Sequence, residues 1–215
     1  MPEKNCDILT VAPFFVDKRV IGRAASRIND GGLVVFPTNT FYGLGARALD
    51  AVAVEKVYEA KKRNPAKPLL ILIASLGDLS DLVQSVPDRA ERIIKAFWPG
   101  RVTLVFHAKS GFPGNLTGHR GKIGIRLARH PVAKALVQEV GGPVTATSAN
   151  LSGNMGAISV DGLDQEMLDL VDLVLDAGTL AGGLGSTVLD VTVDPPAVLR
   201  EGTIPASEIQ ALLDG

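Results

Sequence analysis

The stretch LVVFPTNTFYGLG, residues 33–45, runs four apolar residues straight into a segment dense in hydroxyls and glycine. Leu33, Val34, Val35 and Phe36 make the short β-branched and aromatic run of a buried strand, and Pro37 ends it because proline cannot donate to the ladder. Thr38, Asn39 and Thr40 then place hydroxyl and amide groups at a strand end, and Gly43 and Gly45 let the backbone turn or come close to a ligand. Loops at strand ends of α/β proteins commonly bind ligands. An ordinary turn between strand and helix accounts for the same residues, so this loop by itself decides nothing about function.

Working outward, Val20, Ile21, Ala24, Ala25 and Ile28 recur at helical spacing, and Gly31-Gly32 supplies a stop before the strand. Downstream, Asp50 is placed to cap a helix carrying Val52, Val54, Val57 and Tyr58, which reaches the basic cluster Lys61-Lys62-Arg63 and ends before Pro65. Residues 69–74 read as a buried strand, 88–97 as a helix, 102–106 as a strand, 123–127 as a strand and 131–140 as a helix with Pro131 at its start. Residues 143–147 are extended, residues 151–162 look like a loop, and strands are expected at 173–175, 188–191 and 198–199. Helices separate strands early while strands cluster late. That order predicts α/β architecture with a single twisted mixed sheet and helices packed on it, rather than a strictly alternating doubly wound sheet.

With 215 residues, 46% of them hydrophobic, the chain has ample material for a core. No apolar run reaches the roughly 20 residues that span a bilayer, and MPEKNCDILT lacks the charged start and apolar run of a signal peptide, so a cytoplasmic address without membrane contact is expected. The single cysteine, Cys6, has no intrachain disulfide partner. Lys plus Arg number 22 against 23 Asp plus Glu, which gives no global pull toward nucleic acid. Between Arg89 and Lys134, however, Arg92, Lys95, Arg101, Lys109, Arg120, Lys122, Arg126 and Arg129 face only Asp88 and Glu91, a bias that suits solvated helix faces, a polyphosphate or RNA.

Three polar islands stand out from the core pattern: residues 38–45, the basic run 61–67, and TSANLSG at 147–153. Lys61, Arg63 and Lys67 place cations beside a turn, where they can neutralise phosphates or complement a helix C-terminus. Ser148, Asn150 and Ser152 follow a strand directly and can bind one ligand or satisfy their own turn. Arg126 inside IGIRL and Arg200 inside AVLRE need partners if they point inward, and a guanidinium suits a planar anion. Ser186-Thr187 adds a hydroxyl pair at a strand start. Neither a Walker P-loop nor a GxGxxG fingerprint nor a GxSxG elbow occurs, and His107, His119 and His130 are dispersed without metal-ligand spacing, so no metal site is expected.

Taken in order, FPTNTFYGLG, KKRNPAKPL, WPGRVTLVF, GIRL, TSANLSG, GSTVLD and LREGTI resemble the successive motifs of the YrdC-like family, the threonylcarbamoyl-AMP synthases. The resemblance spans roughly residues 20–204 and implies one YrdC-like domain over residues 1–215, with a deep, positively charged cleft. It implies synthesis of L-threonylcarbamoyl-AMP and pyrophosphate from L-threonine, bicarbonate and ATP with Mg2+, for threonylcarbamoyl-adenosine beside the anticodon of tRNA. By position, Thr40, Arg126, Ala146 and Ser186 match threonine-binding positions. Lys61 and Arg63, the family's Lys-x-Arg pair, match catalytic and ATP-binding positions, and Lys67, Lys122, Ser148, Asn150, Gly156 and Arg200 match further ATP-binding ones. Glu201 stands where the family has Pro and is placed to pair with Arg200.

These residue types suit the chemistry implied. A carbamate formed from threonine and bicarbonate carries its own nucleophilic oxygen, so the protein needs only to align two anions and stabilise charge on the leaving pyrophosphate. Telling threonine from serine rests on one methyl group, worth about 1 to 3 kcal/mol, which makes serine a poor competing substrate. The resemblance also implies partners: a downstream threonylcarbamoyl-transferase complex, and weak double-stranded RNA binding. Two alternatives stand beside the synthase reading, an RNA-binding module and carbamoyl transfer to another acceptor.

Overall fold

The computed structural model describes residues 6–13 and 15–214; the first five residues of the N-terminal segment read above lie outside the described residues. In chain order the elements are β1 (Asp7–Thr10), α1 (Lys18–Asn29), β2 (Val34–Pro37), β3 (Tyr42–Gly45), α2 (Ala51–Lys61), β4 (Leu70–Ile73), α3 (Leu79–Leu82) and α4 (Asp88–Phe97). They continue with β5 (Val102–His107), β6 (Lys122–Leu127), α5 (Pro131–Val140), β7 (Val144–Thr145), β8 (Thr147–Ser148), α6 (Gln165–Leu168), β9 (Leu173–Asp176), β10 (Thr187–Asp190), β11 (Ala197–Arg200) and α7 (Ala206–Asp214).

Local chemistry explains the helix ends. The Asp17 carboxylate accepts from the Arg19 amide at 2.8 Å at the start of α1, and the Asp50 carboxylate accepts from the Val52 and Ala53 amides at the start of α2. The apolar stripe of α1, Ile21, Ala24, Ala25 and Ile28, packs with α5 against Val34, Phe36, Leu173 and Leu175. A larger apolar cluster joins α2 and α4 to β5, β6 and β10 through Val54, Val57, Ile93, Phe97, Leu104, Ile125 and Leu189.

The mixed α/β class holds, but the expected single sheet is two. One has five strands in the order β1-β9-β2-β3-β8, the other six in the order β11-β10-β5-β6-β4-β7, and both mix parallel and antiparallel pairs. They meet where β7 gives way to β8. Thr145 still belongs to the six-stranded sheet and Thr147 already to the five-stranded one, so the chain changes sheet across Ala146. Alternating apolar residues cannot reveal such a change, because both strands read as extended.

The segment 38–45 also differs from its reading as a loop. Residues 38–41 make the turn, closed by the Thr38 hydroxyl donating to the Phe41 carbonyl at 2.6 Å, while Tyr42–Gly45 returns as a fully buried strand. Gly45 serves packing: a Cβ there would sit 2.6 Å from Cε1 of Phe36 and 2.9 Å from Cγ1 of Val144.

Candidate functional site

A cavity of about 740 Å³ opens between the sheets. Its floor is one face of the six-stranded sheet. Thr103 and Val105 of β5, Lys122, Gly124 and Arg126 of β6, and Val188 and Asp190 of β10 line it, while their neighbours Leu104, Ile123, Ile125 and Leu189 point to the core beneath. Alternation therefore decides Arg126, which faces away from the core and into the cavity. The five-stranded sheet and its turn supply the wall, with Thr40, Phe41, Gly43 and Ser148, and the 63–69 connection, Thr117, Arg120, Ser186 and Arg200 complete the rim.

The lining carries six basic side chains, Arg63, Lys67, Arg120, Lys122, Arg126 and Arg200, against the single carboxylate of Asp190 among the described residues. Their states differ. Half-buried Arg126 makes no hydrogen bond or ion pair to a described residue; burial, then the nearby Arg200 charge, draws its pKa down to about 10, which leaves it cationic at neutral pH. The side chains of Lys67 and Arg120 are likewise uncommitted among the described residues. Arg63 donates to the carbonyls of Lys67 at 3.2 Å and Pro68 at 3.0 Å, and the Tyr58 hydroxyl donates to the Lys67 carbonyl at 3.0 Å, so the 63–68 turn is fastened from both sides. Arg200 donates to the Ser186 carbonyl at 2.7 Å and forms no ion pair with Glu201, against the expectation that the two neighbours would pair.

Lys122 is bound to Asp190 at 2.8 Å. Burial works to raise the Asp190 carboxyl, but the hydrogen bonds from Lys122 and Thr192 together with the Lys122 charge outweigh it and hold the pKa below the usual value. Both carboxylate oxygens are thus committed, and no cluster of three metal-ligating side chains occurs among the described residues. The donor set does not build a magnesium cage.

Lys61 is placed differently from the other basic residues. It is 2% exposed and absent from the cavity lining, and its ammonium donates to the carbonyls of Ser148 at 2.5 Å and Asn150 at 2.7 Å. Burial first, then the Arg63 charge, draws its pKa down to about 8. The Lys61 carbonyl in turn accepts from the Ser152 amide at 2.9 Å, so main chain and side chain together fix the 148–152 turn. Asn150 also lies beneath the surface, donating to the carbonyls of Leu151 and Asn154 at 2.7 and 2.9 Å. Of the positions singled out from sequence, Thr40, Arg63, Lys67, Lys122, Arg126, Ala146, Ser148, Gly156, Ser186 and Arg200 share the one cavity; Lys61 and Asn150 support it from below. Gly156 gives room to Phe41, whose ring carbon Cγ would lie 2.8 Å from a Cβ there.

Sequence reasoning passed over Thr103, Thr117, Gly124 and Asp190, and named Arg120 only within the basic stretch 89–134. A signal for two of them existed: Thr103 is the lone hydroxyl in the apolar run VTLVF, and Gly124 sits two residues from Arg126 on the same strand face. The basic stretch 89–134 is broken up in space, with Arg89 paired to Asp194 at 2.7 Å, Lys95 to Glu91 at 4.0 Å and Arg126 inside the cavity. No helix among the described residues is long and apolar enough to cross a membrane.

The Sua5/YciO/YrdC family, described as telomere recombination, matches residues 26–202. The chain is 39% identical over 190 residues to a threonylcarbamoyl-AMP synthase of Pyrococcus abyssi and 37% identical over 194 residues to one of Bacillus subtilis, matches that cover 88% and 90% of this chain. It spans 56% of the length of each of these relatives. The crystal structure of P. abyssi Sua5 complexed with L-threonine superposes with a TM-score of 0.90 at 38% identity, covering 95% of this chain and 60% of that one.

Proposed function

This chain belongs to the Sua5/YciO/YrdC family, and on that footing we propose that it joins L-threonine, bicarbonate and ATP into L-threonylcarbamoyl-AMP and pyrophosphate. The observation that carries the reading is the Arg126 guanidinium, cationic, half-buried and uncommitted to any described residue, on the floor of a cavity that also holds five other basic side chains. A guanidinium so placed needs a planar anion, and the carboxylate of an amino acid supplies one in bidentate geometry. The P. abyssi relative, solved with L-threonine, supports the choice of amino acid.

In this reading Arg126 and Ser186 hold the threonine carboxylate, with Thr40 and Ala146 beside its amino end. Arg63, Lys67, Lys122 and Arg200 hold the triphosphate, and Ser148 and Gly156 flank the nucleotide. Threonine and bicarbonate give the carbamate with loss of water; a carbamate oxygen attacks the α-phosphorus, and the α–β bridging bond breaks to release pyrophosphate. The side chains named here do not supply a nucleophile. They hold two mutually repelling anions in line and take up the charge that builds on the pyrophosphate. Magnesium supplies further charge neutralisation when it arrives with the phosphates. Lys61 and Asn150 act by holding the turn that presents Ser148. The product is a reactive mixed anhydride, so a second protein that transfers its threonylcarbamoyl group to adenosine in tRNA is the fitting consumer.

The test is direct. Protein incubated with ATP, bicarbonate and labelled threonine is expected to yield a labelled AMP adduct and pyrophosphate, each dependent on all three substrates. Pyrophosphate release that ignores threonine, or a labelled carbamoyl group passed to another acceptor without an AMP adduct, would sink the reading.

A further inference from the structure

The hydroxyls of Thr103 and Ser186 lie 2.8 Å apart where the cavity floor meets its rim, both buried, and neither has another side-chain hydrogen bond among the described residues. Two hydroxyls share one proton in the bond between them, which leaves a second O–H without a protein acceptor. We infer that Thr103 is a positioning residue whose hydroxyl donates to Ser186 Oγ, turning the Ser186 O–H toward the carboxylate of the amino-acid substrate. The inference rests on the proposed function, specifically on Arg126 and Ser186 marking the amino-acid end of the cavity.

Three features favour this direction of the bond. Both residues line the cavity, and Ser186, 5% exposed against 1% for Thr103, is the more open of the two, which favours the spare proton reaching the cavity from Ser186. The side-chain donors around the pair include Arg126 and Arg200, which calls for a ligand group that only accepts; Ser186 contributes to holding it only by donating. The Ser186 main chain is already held, because its carbonyl accepts from Arg200 at 2.7 Å, so the hydroxyl rotor is the freedom that remains. Thr103 suits the task of fixing that rotor. It is β-branched and therefore stiff about χ1, it stands on β5 beside β10, and its methyl lies over Gly124, 3.4 Å from where a Cβ would be.

The pair is tested by steady-state pyrophosphate release in Thr103→Val, Thr103→Ala, Thr103→Ser and Ser186→Ala, alone and with Thr103→Val combined with Ser186→Ala. Valine keeps the shape and removes the donor, and alanine supplies a second hydroxyl-free variant. The expected result is a threonine KM raised about three- to tenfold in Thr103→Val and Thr103→Ala, an ATP KM moved less than about twofold, and recovery in Thr103→Ser. In the Ser186→Ala background, Thr103→Val is expected to add nothing to the threonine KM. A threonine KM unchanged or lowered by Thr103→Val, or raised equally without Ser186, overturns the inference while leaving the synthase reading intact. Wild-type protein with no threonine-dependent turnover overturns both.

Discussion

Lys61 shows how far one side chain can depart from what its type suggests. Its ammonium is buried with no carboxylate in ion-pair contact among the described residues, Asp164 acting only from farther off, and is satisfied by carbonyl oxygens of the turn it supports. Burying a charge on these terms costs stability, and the cost depends on pH. Because its folded value of about 8 lies below the ordinary 10.5, the unfolded chain binds more protons than the folded one between those values, and this group's contribution to stability rises as pH climbs through that window. Denaturant unfolding at pH 7.5 and pH 10 is expected to show that rise in the wild type and a smaller one in Lys61→Met. An equal pH response in the two proteins would contradict the assignment. In sequence, Lys61 looked like one more phosphate-binding cation, because a charge at a helix end reads the same whether the turn beyond it covers it or not.

Among the elements, β6 carries the most chemistry in the fewest residues, with Lys122, Gly124 and Arg126 on one face and Ile123 and Ile125 on the other. A methyl added at Gly124 meets Cγ2 of Thr103 at 3.4 Å and Cβ of Leu70 at 3.5 Å, ordinary contacts that the protein tolerates. The same methyl fills space between the two basic side chains. Gly124→Ala is therefore expected to fold with an essentially unchanged melting temperature while kcat/KM falls roughly 10- to 100-fold, a separation that parallel melting and turnover measurements would show. A loss of stability matching the loss of activity would mean instead that the strand had shifted. This element was legible in advance: its span was read to within a residue, and Arg126 was singled out because a cation in an apolar run must face something. β3 was not legible, since Tyr42–Gly45 contains two glycines and reads as turn; burial against Phe36 and Val144 makes a strand of it. The short Gln165–Leu168 helix and β1 also passed unnoticed, each being too brief to show a period.

At the scale of the molecule, the candidate residues come from ordered motifs, and a shared cleft for them was expected from the resemblance alone, not from the residues themselves. Thr40, Arg63, Arg126, Ser148 and Ser186 come from separate segments, and only the packing of two sheets brings them around one space. Ligands that fill that space are expected to bind the folded chain alone. ATP at a hundredfold over its Kd should add about 2.7 kcal/mol, a rise of roughly 5 to 10 °C in melting temperature, with threonine adding to it and serine adding less. Absence of any ATP-dependent shift would count against the cavity as the nucleotide site. The passage of the chain from one sheet to the other gives this architecture a particular stiffness of scale. Ala146 alone separates Thr145 on the floor side from Thr147 on the wall side, and one residue spans at most about 3.6 Å. Floor and wall are thus hinged by covalent bonds across a single residue, and the cavity can widen at that corner no further than this link allows.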